Sequence, residues 1–461
     1  MTDMRFKTGI QILVAVLFLS AFAKAGNRVD NSSILDVTTN PNDAFYLVEY
    51  GCDLAYFRST IYAMGGTVDE EWDGIHVARI SKLDQASVAL LSHKTFVTRV
   101  AKDISVHWVN ALSSDLNIRV QAAADNTAVA RPSDAEFYDI QWGLQEIGMS
   151  NAWRISRGDR AVRVGILDTG ISPDHVDLKG KYDLDASVNF SASNPTDPKD
   201  YIDRHYHGTH VSALIASNNL GVAGVAPDVT LVGVKVLDDE GNATFTSLIS
   251  GIMYAVDYAK VDIINLSLGG IGELAVYKDL AEVLHRAIDY AESHGVVVVA
   301  AAGNDNMDLH ADMLHNFVTT DEAGTILVSA TSPASGQGIE SRACYSNYGD
   351  GLITLAAPGG GIDCSEHSFA SMSDMVISAM APAVARRLGL KNPEGWYMFS
   401  TGTSMAAPIV TGVAALLKST HPEMTPAEIV TRLKESADDL GTPGPDADFG
   451  YGRVNAELAL R

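Results

Sequence analysis

Four short runs of the chain each carry a residue suited to acyl transfer. Asp168 follows the apolar run Val162–Leu167 and precedes Thr169-Gly170. A carboxylate at the end of a buried strand can orient a base. It could equally cap a helix or serve a nucleotide site, although the glycine fingerprint of such a site is missing around it. His207 stands in His207-Gly208-Thr209-His210-Val211, near the start of a helix-compatible run, where Gly208 would leave room for a passing substrate chain. The pair His207/His210 also has a metal reading, but the glutamate of a zinc-binding helix does not accompany it. Ser404 stands in Gly402-Thr403-Ser404-Met405-Ala406-Ala407-Pro408, ahead of a run to Leu417 apolar enough to be buried. Free N–H groups and the dipole at that helix start favour developing negative charge; a plain capping serine is the alternative. Asn304 ends Ala301-Ala302-Gly303-Asn304, either as a turn residue or as an amide donor.

Together the four residues make a set. A serine nucleophile needs a base, the base needs an orienting acid, and the tetrahedral intermediate needs a donor. All four fall at the ends of expected strands or the starts of expected helices. Short β-branched runs at 162–167, 229–237, 261–266, 296–301 and 325–330 alternate with helical stretches such as 247–259 and 274–293. Continuous apolar strands separated by helices predict an α/β domain with a parallel sheet and helices on both faces. In such sheets reactive groups collect where strand ends meet loops.

Upstream the pattern differs. Strands at 45–49 and 74–80, helical spacing over 82–93 and an extended run at 105–109 suggest a small α+β, ferredoxin-like domain of the split βαβ type. Residues 110–136, rich in Ala, Asn, Asp and Ser, read as a linker.

The motifs around Asp168, His207, Asn304 and Ser404, in that chain order of acid, base and nucleophile, resemble those of the subtilisin family of serine peptidases (subtilases, peptidase family S8). The resemblance runs from about Phe137 to the C-terminus. It implies a secreted serine endopeptidase with Asp168, His207 and Ser404 as catalytic triad, acting through an acyl-enzyme, with no cofactor for catalysis. It also implies an oxyanion hole from Asn304 and the Ser404 N–H, and substrate-binding backbone at Ser267, Leu268, Gly269 and Gly270. Residues 26–109 resemble the family's propeptide by pattern, acting as intramolecular inhibitor of a self-processing zymogen. The maturation cut would then fall within 110–136, and 137–461 would be the catalytic domain. Asp177 matches a calcium-ligand position in some members, so structural calcium is possible, although the loop Ser217–Gly221 is short for that role. Residues 365–396 look inserted relative to the family, with helical character over 372–388 and an expected place at the cleft rim.

Composition bounds the partners. A formal net charge of -24 argues against nucleic acid and anionic membrane surfaces, leaving protein or peptide substrates. Arg5 and Lys7, the apolar run 10–23 and Ala23-Lys24-Ala25 read as a secretory signal over 1–25, hence an extracellular or periplasmic location. Of three cysteines, Cys344 and Cys364 could pair or remain two free buried thiols, with Cys52 left over.

Overall fold

Alternation within the strands decides how the layers pack. The computed structural model describes residues 44–109, 119–121, 131–191, 197–269, 271–309, 314–316, 325–333, 340–362, 364 and 371–461. The expected signal segment and Gly270 lie outside them. The main sheet has eight strands. From one edge run Glu340–Arg342, Thr325–Pro333, Val297–Ala301, Ile263–Leu266, Arg163–Asp168, Thr230–Lys235 and Val188–Asn189, with Leu355–Pro358 also beside Thr325–Pro333. Every pairing is parallel except that of Glu340–Arg342, so the expected parallel sheet carries one antiparallel edge.

Successive side chains of these strands enter two different cores, as a two-residue period requires. Val164, Ile166, Val297, Val299 and Ala301 pack with the helices His207–Ile215 and Thr403–Thr420. Leu167, Ile264, Leu266, Val298 and Ala300 pack with Phe245–Asp257 and Leu274–Ser293.

The N-terminal domain has strands Tyr46–Tyr50, Thr67–Trp72, Val77–Ser81 and Val97–Lys102, and helices Leu54–Ala63 and Gln85–Ser92. Its antiparallel sheet places Val77–Ser81 and Val97–Lys102 on either side of Tyr46–Tyr50, with Thr67–Trp72 outside. This is the expected split βαβ arrangement. Val48 and Tyr50 point into the domain's own core with Phe57 and Ile61. Leu47, Val77 and Ala101 join the core of the large domain. On that same face the Glu49 carboxylate pairs with Arg99 and with Arg286 of the long helix.

Two readings of the linker and insertion change. Arg119–Gln121 is a strand that pairs antiparallel with Trp396–Ser400, which in turn pairs with Val376–Ala379. Within 372–388 only Met372–Asp374 and Pro382–Arg387 are helical, the first a single 3₁₀ turn. Adjacent β-branched Val376 and Ile377 suit a strand, and Pro382 starts the helix that follows. The pairing of Cys344 with Cys364 is present, and Cys52 is the free thiol.

Candidate active site

Three neighbouring parallel strands deliver three of the singled-out residues to the C-terminal end of the sheet. Asp168 is the last residue of Arg163–Asp168, Ser267 follows Ile263–Leu266, and Asn304 lies just beyond Val297–Ala301. His207 is the first residue of one helix and Ser404 the second residue of another, both packed on one face of the sheet.

Asp168 is fully buried, and its carboxylate accepts from His207 Nδ1 at 2.8 and 3.0 Å and from Thr169 N at 2.7 Å. Because both oxygens face Nδ1, the proton of a neutral imidazole belongs there, leaving Nε2 as the base. Nε2 is shielded from solvent and makes no hydrogen bond. Ser404 Oγ donates to Ser267 O at 3.1 Å, and Ser267 Oγ donates to Ser404 O at 2.9 Å. The serine is thus held beside the strand end, with its hydroxyl not yet turned to the imidazole; such bonds commonly tighten only with substrate bound.

Asn304 is oriented by Thr403. The Thr403 N–H and hydroxyl both donate to Asn304 Oδ1, at 2.8 and 3.0 Å. Since an N–H must meet an oxygen, this fixes the amide's sense and leaves Nδ2 as a donor beside the start of the Ser404 helix. Gly402 has φ +148°, and a Cβ there would stand 3.6 Å from the Asn304 amide. A glycine there meets the backbone requirement and keeps the space open.

Sequence reasoning missed a buried residue that ties these parts together. Asp203 accepts from His205 N, Tyr206 N and Thr209 N, each at 2.9 Å, and from the Thr209 and Thr169 hydroxyls at 2.5 and 3.0 Å. Thr169 Oγ1 in turn accepts from Gly208 N at 3.0 Å. One carboxylate therefore joins the residue after Asp168 to the loop and helix that carry His207. Burial acts to raise the pKa of Asp203, but its donors outweigh burial and hold it below the ordinary value. The same contacts support Tyr206, whose φ of +115° is costly for a residue other than glycine. The only sequence signal was an acid four residues before His207.

Other expectations are revised. Gly208 does not serve a passing substrate: a Cβ there would lie 2.1 Å from Gly170 O, so it permits packing against the Asp168 loop. The metal reading of His207/His210 finds no support, because His207 Nδ1 is committed to Asp168, and His210 is buried, its pKa pushed down to about 3 by burial and then by His207. Among the described residues no group of His, Cys, Asp and Glu could hold a metal ion. Asp177 does not fit calcium in this arrangement. Its oxygens accept from Leu220 N, Gly221 N, Val222 N and Tyr397 Oη at 2.6, 2.9, 3.0 and 2.8 Å, so donors stand where a cation would need room. Burial, then the Asp177 charge, raises the Tyr397 pKa well above its ordinary value, keeping the phenol a donor. The strand that follows the insertion, Trp396–Ser400, thus supplies a partner for Asp177. The insertion itself backs the histidine helix, where Ser378 Oγ donates to His210 O at 2.7 Å, and it packs against Tyr206.

Ser267 and Leu268 are fully buried, and a Cβ on Gly269 would lie 2.6 Å from Gly303 Cα. Opposite the histidine loop, Asn242–Thr244 forms an edge already paired antiparallel with Ser105–His107 of the small domain.

Comparison with known proteins agrees with this picture. The profile of the subtilase family (peptidase S8) matches residues 159–452. The alkaline elastase YaB of Bacillus sp. (strain YaB) is 30% identical over 398 residues, 85% of this chain and 87% of that protein. The minor extracellular protease Epr of Bacillus subtilis is 26% identical over 371 residues, covering 80% of this chain but about half (48%) of Epr. Among solved structures, the epidermin leader peptide processing serine protease of Staphylococcus aureus superposes with a TM-score of 0.71 at 22% identity, covering 91% of this chain and 98% of that one; that likeness carries the fold.

Proposed function

We propose, because the chain belongs to the subtilase family of serine endopeptidases, that it hydrolyses peptide bonds with Ser404 as nucleophile, His207 as base and Asp168 as its orienting acid. The observation that carries this reading is the buried Asp168–His207 pair, which leaves Nε2 without a hydrogen-bond partner on a helix that shares its core with the one carrying Ser404. Ser404 Oγ attacks the substrate carbonyl carbon as its proton passes to His207 Nε2. The oxyanion is bound by Asn304 Nδ2 and the Ser404 N–H. His207 then protonates the leaving amine, and water releases the acyl group by the reverse proton path. Asp168 supports the imidazolium in a site from which water is excluded. Substrate backbone is recognised by Ser267–Gly270 and by strand addition to the edge Asn242–Thr244.

The enzyme is secreted and made as a zymogen whose residues 26–109 are removed. Support comes from the extracellular relative, the signal-like first 25 residues and the small domain seated on two helices of the large one. Ser404→Ala should abolish fluorophosphonate labelling and self-cleavage together. Asn304→Ala should lower kcat by about 10²- to 10³-fold with little change in KM. Wild-type protein that is cut only by added protease and stays unlabelled would instead indicate a silent binding module.

A further inference from the structure

Resting on that reading, we propose that the bond broken in self-maturation is the one following Val109, so that the new amino terminus is Asn110. The strand Ser105–His107 runs antiparallel to Asn242–Thr244 with His107 opposite Asn242. The pairing continues past the strand: Trp108 N donates to Gly241 O and Trp108 Nε1 to Ala243 O, both at 3.1 Å. The chain is therefore heading toward Gly241 and the histidine loop. A Cβ built on Gly241 would lie 3.4 Å from Val109 Cβ and 3.7 Å from His205 Nε2. The His205 ring centroid is 6.4 Å from that of His207.

A chain that merely joined two domains would run exposed over the surface. Here Trp108 and Val109 are only 2% and 4% exposed, and Trp108 meets Phe245 edge-on at 5.4 Å. This is how a peptide held by strand addition looks, with side chains seated and backbone bonded. The segment ends against Gly241, which lies beside His205, and the His205 ring neighbours that of His207, whose Nε2 is shielded yet makes no hydrogen bond. Ser404 Oγ adds to the Val109 carbonyl carbon, and the bond from that carbon to the Asn110 nitrogen breaks. The serine proton reaches that nitrogen through His207. Water then adds to the ester carbon, leaving a Val109 carboxylate and regenerated Ser404. The same seating defines a preferred substrate class: peptides with a β-branched apolar residue on the acyl side of the cut and a large aromatic residue before it.

The test is mass spectrometry of the full chain, expressed as wild type and Ser404→Ala and digested with trypsin after maturation. Wild type should yield the fragment Asp103–Val109. The mutant should yield only the uninterrupted peptide Asp103–Arg119. Val109→Asp should slow the first cut by at least ~10-fold, since a charge would enter an apolar seat. Should that variant fold poorly, the synthetic peptide Ser105–Val109 should inhibit the mature enzyme at ~10-fold lower concentration than its Asp-ended counterpart. Wild type that self-cleaves but at another bond, or equal inhibition by the two peptides, overturns this assignment and leaves the peptidase reading intact. Wild type that neither self-cleaves nor labels with fluorophosphonate removes both.

Discussion

The two largest sheets of this molecule are covered in different ways. The large sheet has a layer of helices from its own domain on each face, and its alternating side chains fill two cores. The small sheet has its own helices on one face only; the other, with Leu47, Val77 and Ala101, is completed by the large domain. A layer that borrows half its cover is stable only while docked. That asymmetry suits a segment proposed to assist, block and then leave, and it places dependence on the small domain's side.

Breaking the contact should therefore expose the asymmetry. The largest expected effect is for Glu49→Gln, which leaves Arg99 and Arg286 facing a neutral partner. With Glu49 buried but Arg286 44% exposed, the cost falls between that of a surface and a buried pair, about 2 kcal/mol, or roughly 30-fold in docking. In an uncleaved Ser404→Ala background, amide exchange in Tyr46–Tyr50 should speed by that factor while Arg163–Asp168 stays protected. Equal loosening of both strands would refute the asymmetry.

Acid should act on the two regions in opposite senses. Burial, then His207, pushes the pKa of His205 down to about 4 and that of His210 to about 3. The unfolded chain takes up these protons first. The large domain's stability should hold above pH 7 and then fall below about 6.5, by about 1.4 kcal/mol per pH unit for each histidine. At the docking face, burial raises the pKa of Glu70, which accepts from Ser250, and of Asp103, which accepts from Thr246. A raised carboxyl pKa favours docking below the ordinary carboxylate range and weakens it as pH climbs through the raised value. Unfolding of the Ser404→Ala protein in urea at pH 7 and pH 5 should show the large domain losing stability without matching acceleration of exchange in Tyr46–Tyr50.

The smallest effect concerns the large domain alone. Tyr397→Phe removes one of four donors to Asp177 and should cost about 1–2 kcal/mol in global unfolding. Exchange in the small sheet should not change, and added calcium should not restore the loss. Recovery with calcium would show that the site takes a cation after all.

Much of this was legible from the sequence where a pattern and a chemical need coincide. The runs leading to Asp168, Leu266 and Ala301 are mostly apolar, Arg163 and Asn265 aside, because both sheet faces are buried, and polar residues directly after them stand out. The Ser404 helix announced itself the same way. Asp203 was not legible, because its importance lies in five donors brought from three places, a property of folded geometry rather than spacing. Gly208 was misread for a related reason: sequence shows a missing side chain but not the Gly170 carbonyl that occupies its place. The strand Val376–Ala379 was hidden by short range, since its partner begins only at Trp396. The strand Arg119–Gln121 is three residues long in a polar stretch, and only the edge of Trp396–Ser400 gives it structure.

The Glu49 clamp bears on where such a protein can mature. With so many surface acids, ordinary ion pairs on this chain lie within reach of dissolved ions, whose screening length is only about 8 Å at physiological salt and ~3 Å at 1 M. The Glu49 side chain is 4% exposed, but its partners Arg99 and Arg286 are 22% and 44% exposed, so dissolved anions reach the cationic side of the clamp. The grip between the two domains is thereby weakened by salt on its arginine side alone, and the proposed release after the cut should come somewhat more readily in brine than in fresh water.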